Sequence, residues 1–107
     1  MNAEQYTYRV LWSEDDQEFV GLCAEFPSLS WLDQKQDAAL HGIVELVKDT
    51  LKDMIHNGEH IPEPLSLKKY SGRFVVRTTP EMHRRLAILS SEAGVSLNRY
   101  INSLLNP

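Results

Sequence analysis

The chain has 107 residues, 42% of them hydrophobic and 24% charged, which excludes a disordered or fibrous protein and bounds it to one ordinary domain or two very small ones. Its single cysteine, Cys23, excludes an internal disulfide and cannot build a thiolate metal site by itself, and no apolar run approaches the roughly 18 residues of a membrane span. The formal net charge of −4 would argue against a nucleic-acid partner only if it were evenly spread, and it is not.

Residues 1–64 carry four basic side chains (Arg9, Lys35, Lys48, Lys52) against thirteen acidic ones, a net of −9. Residues 65–107 carry seven (Lys68, Lys69, Arg73, Arg77, Arg84, Arg85, Arg99) against Glu81 and Glu92, a net of +5. Asymmetry of this kind points to a nucleic-acid contact in the basic half, with a plainly solvated basic helix face as the alternative. Met1–Gln5 does not read as a signal peptide, and a cytoplasmic protein without a membrane partner is expected.

In chain order, Tyr6, Tyr8, Val10 and Trp12 alternate with Thr7, Arg9 and Leu11, the period of a half-buried strand in β-favouring residue types. Ser13–Gln17 is a polar turn, and Glu18–Cys23 reads as a second, antiparallel strand. Pro27 and Ser28 break it, and Leu29–Leu32 reads as a short third strand. From Lys35 to His56 the period becomes helical, with Leu40, Val44, Val47, Leu51 and Met54 or Ile55 on one stripe and Lys48, Lys52 and Asp53 largely off it. Such a helix spans over about 30 Å, enough to cover one face of a small sheet. Gly42 inside it costs about 1 kcal/mol relative to alanine and marks a close backbone approach, and Asn57-Gly58 is a stop signal.

His60–Pro64, with two prolines one residue apart, reads as an extended linker, and the charge changes sign there. The division is therefore 1–61, a linker 62–71, and 72–107. In the last part Gly72–Thr78 reads as one strand, Thr79 as an N-cap and Pro80 as the first residue of a helix ending at Gly94. Met82, Leu86, Leu89 and Ala93 share one face of that helix. Ser96 caps a second helix whose apolar side holds Leu97, Tyr100, Ile101 and Leu104. A strand with two unpaired edges and two short helices lacks the core to fold alone. Two copies solve both problems by pairing their strands over four interlocked helices, so a homodimer is expected, with assembly to a tetramer left open.

Along that strand Phe74 and Val76 point one way and Arg73, Val75 and Arg77 the other. If the apolar pair packs on the helices, the paired strands display an Arg-Val-Arg face from each copy. A two-stranded ribbon fits the major groove, where arginine donates bidentately to guanine. An edge strand with solvated arginines is the plainer alternative. The start of the second helix, around Ser96, Leu97 and Asn98, offers backbone amides at the positive end of a helix dipole, suited to a DNA phosphate. Ser96 serves equally well as an ordinary cap.

Arg73-Phe74-Val75-Val76-Arg77, the Thr79-Pro80-Glu81 helix start and Gly94-Val95-Ser96-Leu97-Asn98-Arg99-Tyr100-Ile101 resemble a ribbon-helix-helix domain of the Arc/MetJ type. The resemblance implies that Arg73, Val75 and Arg77 occupy the base-reading positions and Ser96, Leu97 and Asn98 the phosphate-binding helix start. The middle reader is usually polar, and valine there offers contact with a thymine methyl in place of a hydrogen bond. Tyr8–Trp12, the acidic turn, Phe19–Ser30 and a helix containing Ala39-Leu40 resemble the N-terminal domain of HicB antitoxins. That resemblance implies an α+β protein, with a partial RNase-H-like, three-stranded antiparallel sheet under a long helix, followed by the ribbon-helix-helix. It further implies an antitoxin that neutralises a HicA-like, mRNA-cleaving toxin through its first half and represses its own operon by binding double-stranded operator DNA through its second. A net −9 suits a basic toxin. Glu14, Asp15, Asp16, Glu18 and Glu25 flank the hairpin as candidate contacts.

No catalytic residues, metal ligands or cofactor are expected. A two-metal nuclease needs carboxylates converging from separate elements, whereas Asp15 and Asp16 are neighbours in a turn and Glu45 and Asp49 share a helix face without further partners. His41, His56, His60 and His83 lack metal-ligand spacing, and Cys23 lies in a strand as a small apolar side chain. Two other readings stand beside the antitoxin: an orphan ribbon-helix-helix regulator whose first half senses a ligand or aids oligomerisation, and a degenerate RNase-H-like enzyme.

Overall fold

The structure, a computed structural model, describes residues 2–106. The chain divides into two compact units, Met1–Tyr70 and Ser71–Pro107. Counted on that boundary, unit 1 holds six basic and thirteen acidic side chains and unit 2 five basic and two acidic, so the opposition of charge survives as −7 against +3.

Unit 1 is a three-stranded antiparallel sheet in the order β1 (Tyr8–Ser13), β2 (Glu18–Cys23), β3 (Ser30–Asp33), with α1 (Gln36–His56) across one face. The expected strands and helix are present with ends moved by a residue or two. Tyr6 leaves the strand, because Asn2 caps a 3-10 turn at Ala3–Gln5 and Tyr6 closes it. The register Tyr8↔Cys23, Val10↔Gly21, Trp12↔Phe19 and Gly21↔Trp31 sets one face of the sheet, and that face meets α1.

The contact is made possible by two glycines. A Cβ on Gly21 would lie 2.6 Å from the Ala39 carbonyl oxygen and 2.8 Å from an Ile43 methyl, and a Cβ on Gly42 would lie 2.1 Å from the Trp31 indole. The helix therefore rests on the strand by its Ala39–Ile43–Val47–Leu51 stripe, all buried. This corrects the expected stripe at its start, where Leu40 is exposed and Ala39 takes its place, while of Met54 and Ile55 it is Met54 that packs on the core. The periodicity selects an apolar sector, but the small residues decide which edge of that sector approaches the sheet. The core closes with Ala3, Tyr6, Cys23 and Phe26, the Tyr6 and Phe26 rings 5.4 Å apart. Burial pushes the Cys23 thiol up, and it pushes the Tyr8 phenol up to about 12.

Gly58 ends α1 with a φ of 69°; its amide donates to the Ile55 carbonyl and that of Glu59 to the Met54 carbonyl, a Schellman motif. The chain then returns along unit 1. The Tyr6 hydroxyl donates to the Pro62 carbonyl at 2.7 Å, Pro64 is fully buried, and the Ser66 hydroxyl donates to the Gln5 carbonyl at 2.6 Å. Residues 62–67, read as spacer from the sequence, are thus fastened to unit 1, including a 3-10 turn at Leu65–Leu67. A Pro-x-Pro pattern signals extended backbone but not whether that backbone finds a surface to lie on.

Unit 2 is a helical hairpin. Thr79 caps α2 (Pro80–Glu92) by accepting the Met82 amide, with Pro80 at the first position. Gly94, at a φ of 70°, ends α2 with the same double closure as Gly58. Ser96 caps α3 (Leu97–Leu105) by accepting the Arg99 amide at 3.1 Å. Among the described residues of this unit Ser90 alone is buried.

Candidate nucleic-acid interface

The residues expected to read DNA lie in the segment without regular secondary structure ahead of α2. Residues 72–78 form no strand in this single chain. A strand exists only through a neighbour's backbone, and no described residue of unit 2 offers this segment one. Arg73, Val75 and Arg77 are exposed, Val75 at 86%. Phe74 and Val76, expected to pack on the helices, are also exposed, at 76% and 72%. Val76 borders a groove with Pro80, Leu86, Leu97 and Ile101, so the helices present an apolar cleft that their own chain leaves open.

Ser96, Leu97 and Asn98 form the start of α3 as expected. The Ser96 hydroxyl oxygen accepts from the Arg99 amide, so its cap role is realised, and the other first-turn amides lie at the positive end of the helix dipole. The structure brings these three together in one turn. It holds the Arg73–Arg77 segment in the same unit.

The acidic candidates of unit 1 divide by what their carboxylates do. Glu25 accepts the Thr7 amide at 2.9 Å, the Thr7 hydroxyl at 3.1 Å and the Leu65 amide at 2.8 Å. Desolvation pushes its carboxyl up, but the amide donors outweigh that and hold it below its ordinary value. Glu25 is therefore an internal clasp between β1, the end of β2 and the returning chain. Glu14 accepts the Trp12 indole N–H at 2.7 Å and the Gln17 amide, which lower its carboxyl pKa, and Asp16 accepts the Ser13 hydroxyl at 2.8 Å. Asp15 is exposed in the same turn and Glu18 follows on β2. Among the described residues no group of three His, Cys, Asp or Glu side chains is placed to hold a metal ion, and no helix is long and apolar enough to cross a membrane. Glu45 pairs with Lys48 at 3.3 Å.

Neither the curated proteins nor the solved structures give a match to the chain. A family model does. The model of the HicB family matches residues 56–105, from the last residue of α1 through the last residue of α3. The matched part, 50 of the 107 residues, holds the arginine segment and the helical hairpin, whereas the sheet and all of α1 but its last residue lie outside it. What the match shows is a similarity to the HicB family over this part of the chain.

Proposed function

We propose that the chain is the antitoxin of a type II toxin–antitoxin system and the repressor of its own operon. In this reading unit 2 forms a ribbon-helix-helix homodimer on operator DNA, and unit 1 binds and neutralises a HicA-like mRNA interferase. The HicB family match supports the antitoxin class. The observation that carries the DNA-binding half is the exposure of Phe74 and Val76, with Val76 at the edge of an open groove, in a unit where only Ser90 among the described residues is buried. A unit so poor in core needs another surface to complete it.

Pairing residues 72–78 of two copies antiparallel satisfies two strand edges and turns Phe74 and Val76 toward the paired helices. Arg73, Val75 and Arg77 of each copy then form the outer face of a ribbon with the dimensions of the major groove. The α3 N-termini beside it, at Ser96, Leu97 and Asn98, supply amides for flanking phosphates. The acidic unit supplies long-range attraction for a basic toxin. No step in this function requires a cofactor or a catalytic group of the chain.

The test is co-expression with the product of the gene adjacent to the chain's own, expected to be a HicA-like toxin. Growth restored by the chain, with the two proteins co-purifying, is the expected result; a toxin that stays active and unbound overturns the antitoxin role. A second reading, an orphan ribbon-helix-helix regulator, is favoured by the family match falling on residues 56–105 and leaving the sheet outside it. Sequence-specific DNA binding without any toxin contact would select that reading.

A further inference from the structure

One face of the unit 1 sheet is covered by α1, and the opposite face breaks the rule for a solvated sheet. An antiparallel sheet covered on one side carries polar residues on the other. The cross-strand register places Leu11 opposite Val20 and Val20 opposite Leu32, so three aliphatic side chains form a continuous row across all three strands. Gly21 and Trp31 face α1, so the residues that alternate with them, Val20, Leu22 and Leu32, face away. Leu11 is 41% and Leu32 45% exposed, and Val20 and Leu22 are half-buried. No described residue of unit 1 covers this row.

The charges around the row are one-sided. Glu18 lies on the same face of β2, and Glu14, Asp15 and Asp16 close the hairpin at that end of the strands, against Arg9 at the other end of β1. A second copy of the unit would bring net −7 against net −7, with the two hairpin turns adding like charge. Electrostatic complementarity favours a cationic occupant instead.

We propose that the Leu11–Val20–Leu32 face is the docking surface of unit 1, and that its occupant is a basic protein presenting an apolar patch bordered by Lys or Arg. This rests on the antitoxin reading and deepens it by assigning the toxin to the uncovered sheet face, with Asp15, Asp16 and Glu18 at the rim. The aliphatic row supplies the desolvated centre, and the hairpin carboxylates supply steering and orientation.

The test uses the full chain and the product of the gene adjacent to its own, the expected HicA-like toxin, titrated by calorimetry. Leu32→Lys puts a cation on the row, whereas Ile55→Lys makes the same charge change on an exposed position of α1, on the other side of the sheet. Both variants are checked for an unchanged circular dichroism spectrum and melting midpoint, which the exposure of both positions allows; Leu11→Ser is the milder second variant. The expected result is at least tenfold weaker toxin binding for Leu32→Lys, weaker binding for Leu11→Ser, and wild-type binding for Ile55→Lys. Toxin binding by Leu32→Lys equal to wild type overturns the assigned face while leaving the antitoxin reading intact. Absence of binding by the wild-type chain overturns both. Leu32→Lys that lowers the oligomeric state in sedimentation, with toxin affinity unchanged, assigns the face to a second copy and also overturns the proposal.

Discussion

Gly21→Ala tests the packing of α1 on the sheet. The added Cβ would sit 2.6 Å from the Ala39 carbonyl oxygen, 0.8 Å short of the 3.4 Å at which ordinary contact begins, and 2.8 Å from a methyl of Ile43, which is fully buried. The nearer obstruction is helix backbone, so no rotamer change relieves it and α1 must lift. Overpacking of this kind costs about 1–3 kcal/mol, and a rigid obstruction belongs at the upper end. Against it stands the entropy of a strand glycine, which alanine recovers at about 0.5–1 kcal/mol. The net is a loss of about 2 kcal/mol, or about 8–16 °C in Tm for a unit of this size. Trp12 and Trp31 are the only tryptophans and both lie in unit 1, so fluorescence reports the melting of that unit in the full chain. Gly42→Ala serves as the comparison: its obstruction is the half-exposed Trp31 ring, which can swing aside, and helix propensity returns about 1 kcal/mol. The expected order of stability is wild type, then Gly42→Ala, then Gly21→Ala. A Gly21→Ala chain that melts with or above wild type refutes the close approach of Ala39 and Ile43 to the strand.

Glu25→Gln removes the charge from the clasp on Thr7 and Leu65 and is expected to cost about 1–2 kcal/mol at neutral pH, the range for hydrogen bonds to a charged group at a half-exposed site. The folded carboxyl titrates below its ordinary value of 4.5, so its stabilisation is full above that value and is lost as pH falls through the folded pKa. Urea unfolding followed into acid, below the folded pKa, should bring wild type and variant together, and a difference that persists there contradicts the assignment. Phe74→Ser should shift the chain toward monomers in sedimentation velocity and reduce its helix content, since Phe74 is 76% exposed without a partner copy; an unchanged dimer contradicts strand pairing through this segment. Arg77→Ala should weaken operator binding by about 1–3 kcal/mol and relax sequence preference at one base position of each half-site, and unchanged affinity and preference remove Arg77 from base reading.

The first unit was legible in its sequence because its strands follow a period of two and its helix a period near 3.6, and caps and stops such as Asn57-Gly58 mark where one gives way to the other. What periodicity left open was the rotation of α1, which depends on Gly21 and Gly42 removing side chains at the contact. It also left open the fate of residues 62–67, whose Leu65 amide and Ser66 hydroxyl find acceptors in Glu25 and Gln5, far away in sequence. Glu25 looked like one more acid on the hairpin for the same reason. In unit 2 the caps at Thr79 and Ser96 were readable from local chemistry. The strand expected at 72–78 is absent from the single chain, and on the proposed reading its hydrogen bonds would come from a second copy. The alternation of Arg73, Val75 and Arg77 with Phe74 and Val76 carries its meaning only in such a pair.

The central claim is that opposite charges divide two tasks between the units, and binding to the DNA upstream of the chain's own gene tests it most directly. Full-length chain titrated onto that fragment in gel shifts, at several salt concentrations and with unrelated DNA as competitor, should bind specifically as a dimer, with affinity falling steeply as salt rises and with the shift altered by added HicA-like toxin. Equal affinity for upstream and unrelated DNA, or binding by monomers, contradicts the account.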